Sequence, residues 1–70
     1  MSRVKLNKDA LLEYITSEGL SERQFAERIG VSPATISRIL NDERNVGGEF
    51  IAKLLRVAGE KRFYDFFFLT

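Results

Sequence analysis

The chain has 70 residues, a formal net charge of +1, no cysteine and no histidine. A chain of this length forms one small domain with little core to spare, so a large pocket for a small-molecule substrate is not expected. Without cysteine or histidine, the sequence excludes disulfides, thiolate and imidazole catalysis and the usual zinc ligand sets. We therefore predict no enzyme, no cofactor and no metal site. The charge is too small to indicate a nucleic-acid partner, which must be argued from where the basic residues lie.

Hydrophobic residues make up 44% of the chain and charged residues 30%, which is typical of a folded, soluble protein. No apolar run approaches the roughly 20 residues that cross a bilayer, and the N-terminal stretch MSRVKLNKDA contains no apolar signal core. We predict a cytoplasmic protein with no membrane partner, consisting of one domain over residues 1–70.

The first predicted helix spans residues 8 to 18. Asn7 can cap its first turn, Asp9 favours the positive end of the helix dipole, and Gly19 can supply the left-handed residue that ends it. Its apolar residues share one face: Leu11, Leu12 and Ile15.

The second predicted helix lies in the stretch LSERQFAERIG and spans about residues 22 to 29. Ser21 and Gln24 have the spacing of a capping box, and Leu20 and Phe25 have the spacing of a hydrophobic staple. Both patterns indicate that a helix begins immediately after the serine.

A third helix is predicted to begin only a few residues later, at Pro33, and to run to Asn41. Gly30 can adopt the positive φ that ends the second helix, Ser32 is a suitable N-cap, and proline is tolerated at the first helical position. The small side chain of Ala26 lets the two helix axes approach closely. The pattern predicts a helix-turn-helix unit, in which the second helix turns by roughly 90 to 120°.

The third helix has two distinct faces. Its bulky apolar residues form one stripe, and the opposite side is short and polar; the stripe is Ile36, Ile39 and Leu40, and the other side is Ala34, Thr35, Ser37, Arg38 and Asn41. The sharp turn before this helix lets the apolar stripe pack on the second and fourth helices while the polar side stands clear of the domain. Such a helix fits the DNA major groove, which is about 12 Å wide.

The fourth predicted helix spans about residues 48 to 58 and ends at Gly59. Its apolar residues have the spacing of a strongly buried helix: Phe50, Ile51, Leu54, Leu55 and Ala58. The free amides of Gly47 and Gly48 at its start could bind a phosphate. An alternative is that this glycine pair is only a flexible link.

The C-terminal segment, residues 60–70, is rich in aromatic residues, and the pattern leaves open whether it is helix or strand. Neither element turns all successive side chains inward, so some of them should face a partner. We predict that they form a dimer interface: Phe63, Tyr64, Phe66, Phe67, Phe68 and Leu69. The alternative is that part of the segment covers the fourth helix and the rest meets a further domain.

The stretch LSERQFAERIGVSPATISRILNDER resembles the Cro and phage-repressor, or Xre, family of helix-turn-helix regulators. The resemblance covers residues 8–58, with these residues in hallmark places: Ala26, Gly30, Val31, Ile36, Ser37 and Ile39. It implies an all-α fold similar to the lambda repressor, a compact bundle of four to five helices with the helix-turn-helix at 21–41 and a possible short C-terminal strand or helix. The family often has glutamine where this chain has Glu22 and Pro33.

In that family the third helix is the recognition helix, which implies binding to double-stranded DNA as a homodimer and regulation of transcription, with repression as the usual outcome. The residues implied to contact bases are Pro33, Ala34, Thr35 and Arg38. The candidates for the DNA backbone are Arg23, Ser32, Ser37, Asn41, Arg44, Asn45 and Gly48. A rival interpretation is an antitoxin-like or adaptor module that acts mainly through protein contacts of its aromatic segment.

Overall fold

A computed structural model describes residues 4–41 and 46–69. In chain order the elements are β1 (Val4–Leu6), α1 (Lys8–Ser17), α2 (Glu22–Ile29), α3 (Pro33–Asn41), α4 (Gly48–Ala58), a 3₁₀ turn (Glu60–Arg62), α5 (Phe63–Phe66) and β2 (Phe67–Leu69). The predicted helical bundle is confirmed. The predicted backbone contacts Arg44 and Asn45 lie outside the described residues.

The caps that the sequence predicts for the first two helices are present. The Asn7 side chain accepts a hydrogen bond from the Ala10 amide at 3.2 Å. In the capping box, the Gln24 amide donates to Ser21 Oγ at 3.1 Å, and the Ser21 amide donates to Gln24 Oε1 at 2.9 Å. These bonds satisfy amides that a helix N-terminus otherwise leaves without partners, so both helices begin where local chemistry favours it.

The turn between α2 and α3 has the geometry predicted for it. Gly30 adopts φ 85° and ψ 34°, in the left-handed region. The amides of Gly30 and Val31 both donate to the Ala26 carbonyl, each at 2.9 Å, and Ala26 itself is completely buried. A left-handed glycine and a small residue one turn earlier therefore bring the two helices together.

Gly30→Ala and Gly48→Ala should change stability in opposite directions. No atom lies within 4 Å of a Cβ added at either position. The backbone conformation therefore decides whether each substitution stabilises or destabilises the protein. We expect Gly30→Ala to lower the free energy of unfolding by about 1 kcal/mol, because a side chain disfavours the left-handed region. Gly48→Ala, at the first position of α4, should raise it by up to about 1 kcal/mol. Urea denaturation measures both, and equal signs would contradict this account.

The core is formed by one cluster of apolar side chains from both strands and from helices α1 to α5. Its members are Leu6, Leu11, Tyr14, Ile15, Phe25, Ala26, Ile29, Ile36, Ile39, Leu40, Phe50, Leu54, Phe66 and Phe67. The ring of Tyr14 packs edge-on against Phe25 and Phe66, with centroid distances of 6.3 and 5.3 Å. The helix-turn-helix therefore shares one core with the C-terminal segment.

The two ends of the described chain meet in an antiparallel pair of strands, which we call the terminal ribbon (β1 and β2). Val4 lies opposite Leu69 and Leu6 lies opposite Phe67, and the Asn7 amide extends the pairing by donating to the Phe66 carbonyl at 2.7 Å. The sequence pattern does not predict β1. Three residues are too few for an alternating pattern to stand out, and the strand depends on a partner at the other end of the chain.

The interface prediction is wrong for Phe66 and Phe67, which are only 1% exposed and belong to the core. Phe66 ends α5, and Phe67 is extended, with φ −134° and ψ 151°. A change from helix to strand between two successive residues turns both side chains inward, which neither element does alone. Other aromatic residues of the segment are exposed: Tyr64 by 79% and Phe68 by 45%.

Arg62 links the C-terminal segment to α1 through contacts with two aromatic rings. Its guanidinium carbon lies 5.1 Å from the ring centroids of both Tyr14 and Phe66, and its Nε donates to Asp65 Oδ2 at 3.2 Å. Cation–π contacts at exposed sites contribute about 0.5 to 1 kcal/mol each.

Over residues 4–41 and 46–69, no helix has the length and apolar character needed to span a membrane.

Candidate nucleic-acid interface

The start of α3 is built by Ser32 and Thr35. The Thr35 amide donates to Ser32 Oγ at 3.2 Å, and the two hydroxyl groups share a hydrogen bond at 2.8 Å. Pro33 occupies the first helical position, where its missing N–H leaves no hydrogen bond unmade. A new helix therefore begins within three residues of Gly30, as the sequence predicts.

The two faces of α3 differ in burial as expected from their side chains. Ile36, Ile39 and Leu40 are 9% exposed or less. The residues on the other side are exposed, and they are Pro33, Ala34, Ser37, Arg38 and Asn41. Thr35 is half-buried, and its hydroxyl is partly engaged by Ser32. A helix held by its apolar stripe thus presents a continuous edge of short side chains and one long cation to the surroundings.

The remaining candidates for backbone contacts lie on other helices. Arg23 is exposed in the first turn of α2, next to the exposed carboxylate of Glu22. Gly48 is the first residue of α4, whose N-cap, Gly47, has no side chain to satisfy the first amides. The structure thus distributes the candidates over α2, α3 and α4 and does not gather them on a single helix.

Two contacts near the turn were not predicted. Lys53 forms an ion pair with Glu49, with Nζ 2.9 Å from Oε1, and the same ammonium also donates to the Gly30 carbonyl at 3.0 Å. Arg28 is half-exposed, and its Nη1 lies 3.3 Å from Glu18 Oε1. Both contacts join residues far apart in the chain, so spacing along one helix does not reveal them.

A family model described as helix-turn-helix matches residues 11–64. The chain belongs to the Xre/Cro-type helix-turn-helix family. A relative in Bacillus subtilis (strain 168), the uncharacterized HTH-type transcriptional regulator YvzC, is 40% identical over 68 residues, covering 97% of this chain and 87% of the relative. No solved structure matches the chain. The resemblance read from residues 8–58 is therefore confirmed.

Membership of the Xre/Cro-type family gives the described surface a chemical context, because this is a family of DNA-binding transcriptional regulators. Arginine can pair with guanine through two parallel hydrogen bonds, and methyl groups such as those of alanine and threonine fit against the thymine methyl. Hydroxyl and amide side chains bind phosphate or base edges. The exposed edge of α3 offers all three kinds of group.

Proposed function

We propose that this regulator recognises a specific double-stranded DNA sequence by inserting α3 into the major groove, and that it acts in the cytoplasm as a repressor that occupies a promoter. The observation that carries the proposal is the exposure of the polar edge of α3 opposite three buried isoleucine and leucine side chains. Repression follows the precedent of the resembling phage regulators.

Within this proposal the base contacts come from the exposed edge of α3. Arg38 is the main source of discrimination, through a forked pair with guanine O6 and N7. Ala34 and the methyl group of Thr35 lie against thymine methyl groups, since the Thr35 hydroxyl already bonds to Ser32. Pro33 has neither an amide nor a polar side chain and contributes packing alone.

The phosphate contacts orient the helix and carry no sequence information. We assign them to exposed donors around the edge of α3: Ser32, Ser37, Asn41, Arg23 and the backbone amide of Gly48. An amide at a helix start favours an anion because the helix dipole is positive there. Glu22, beside Arg23, disfavours phosphate, so the DNA backbone passes closer to the arginine.

Selection of bound duplexes from a random pool, followed by titration of the selected site and a shuffled site, tests the function. We expect a specific Kd on the order of 10⁻⁸ M or tighter and a preference of at least about 10³ over the shuffled site at physiological salt. The absence of saturable binding at low salt would contradict the proposal and favour an adaptor that binds proteins.

We further propose that the protein binds as a homodimer through the side chains of the C-terminal segment that remain outside the core. Tyr64, Phe68 and Leu69 are 79%, 45% and 53% exposed, and Phe63 is half-buried beside them in the chain. Twofold regulators of this kind read half-sites about 34 Å apart. The Cα extents of 35 × 24 × 19 Å allow two copies to lie side by side at that separation.

Replacing Tyr64, Phe68 and Leu69 together with serine should abolish dimerisation without unfolding the domain, because none of the three side chains belongs to the buried core cluster. Sedimentation equilibrium should give a dimer for the wild-type chain and a monomer for the variant, and far-ultraviolet circular dichroism should show the same helix content in both. Lys61→Ser, a single exposed change in the preceding turn, is the control and should remain dimeric. A wild-type chain that stays monomeric even on its selected DNA site would contradict the dimer.

A further inference from the structure

Lys53, in the middle of α4, contacts the turn of the helix-turn-helix. Its Nζ donates to the Gly30 carbonyl oxygen at 3.0 Å and lies 2.9 Å from Glu49 Oε1. The Lys53 side chain is 28% exposed, whereas that of Glu49 is 82% exposed. The lysine is therefore held against the domain, and the glutamate lies on its outer side.

The Gly30 carbonyl accepts its hydrogen bond from outside α2. It follows the last turn of α2, and helix C-termini leave carbonyls without partners and carry a partial negative charge. Gly30 has no side chain that could donate to this carbonyl, and its φ of +85° favours glycine over residues that have one. A lysine ammonium from another helix both donates to this carbonyl and matches the sign of the dipole.

We propose that Lys53 is a positioning residue for α3, acting through the Gly30 peptide. Only Val31 and Ser32 separate Gly30 from the first residue of α3, so the direction of that peptide sets the direction in which α3 leaves the turn. Lys53 is itself well anchored, because the adjacent Leu54 is completely buried and Phe50 is 4% exposed. This inference rests on the proposed function, since the direction of α3 affects binding only if α3 docks on DNA.

The test uses Lys53→Met, which keeps the apolar stem and removes the ammonium. Without DNA, the amides of Gly30 and Val31, which both bond to the Ala26 carbonyl, should exchange with solvent about 3- to 10-fold faster, the factor expected for loss of one hydrogen bond. The amide of Leu11 on α1 should be unchanged. Affinity for the selected DNA site should fall by a similar factor of about 3 to 10.

The dependence of affinity on salt separates positioning from direct phosphate contact. A lysine that binds phosphate contributes a slope of about 1 in log Kd against log salt, whereas a positioning lysine leaves the slope unchanged. Lys53→Arg retains a donor and should show the exchange rates and the DNA affinity of the wild type. Glu49→Gln removes the ion pair but leaves the Gly30 contact in place, and Lys61→Met removes an equal charge elsewhere; both should behave as wild type.

Each result decides the proposal. Faster exchange at Gly30 and Val31 with weaker binding and an unchanged salt slope supports it. Unchanged exchange at these amides overturns it, as does a slope that falls by about 1. If the wild-type chain fails to bind DNA, the proposed function fails, while the exchange measurement still decides whether Lys53 holds the turn.

Discussion

Replacing Arg38 with alanine is expected to remove discrimination at one base pair of the operator. Arg38 is exposed near the middle of the polar edge of α3, and a forked arginine–guanine pair contributes about 1 to 3 kcal/mol against a wrong base. Affinity for the selected site should therefore fall by about 5- to 150-fold. Affinity for shuffled DNA should fall only a few-fold, because that binding depends on charge and not on base identity.

Two further variants separate the guanidinium fork from its charge. Arg38→Lys keeps the charge but loses the two parallel donors, so it should resemble the alanine variant on the selected site and the wild type on shuffled DNA. Arg56→Ala removes an equal charge from the exposed surface of α4 and should preserve sequence preference. Fluorescence anisotropy titrations measure all four proteins. An equal loss on both duplexes for Arg38→Ala would identify this residue as a phosphate contact instead.

The largest expected effect on stability comes from Phe67→Ala. Phe67 is 1% exposed, and removal of a buried phenylalanine costs about 3 to 5 kcal/mol. A domain of this length has a free energy of unfolding of only about 4 to 10 kcal/mol. The Phe67→Ala variant should therefore be close to unfolded at 37 °C, although the neighbouring Phe68 is exposed.

Phe68→Ala is the matched control because it removes the same side chain from the next residue of β2. With 45% of its surface already exposed, Phe68 should cost about 1 to 1.5 kcal/mol when truncated, roughly half of what full burial of a phenylalanine contributes. Urea denaturation followed by circular dichroism compares the two. A similar loss of unfolding free energy in both variants would contradict the different burial of Phe67 and Phe68.

Local chemistry made much of the fold predictable. The caps formed by Asn7 and Ser21, the left-handed Gly30 and the apolar stripe of α3 each depend on residues within one or two turns of each other. The exposed edge of α3 follows from the same spacing. Hydrogen bonds and helical periodicity of this kind can be read without knowledge of the tertiary fold.

The features that were missed depend on distant parts of the chain. Strand β1 exists because Leu69 and its neighbours lie beside Val4, and a three-residue segment carries no such information. The Lys53 contact with Gly30 spans 23 positions. The burial of Phe66 and Phe67 requires a change of backbone conformation between them, whereas a sequence pattern indicates a single kind of element for each segment.

The antiparallel register of the terminal ribbon determines how the domain responds to tension. Val4 and Leu69 face each other at the outer end of the ribbon, so a force that separates the two chain ends acts on this pair first and then on each pair behind it. The residue pairs of the two strands then separate one at a time, and they do not share the load as they would in shear. The ribbon therefore resists pulling by the two chain ends less than it would resist shear, in which all three residue pairs would carry the load together.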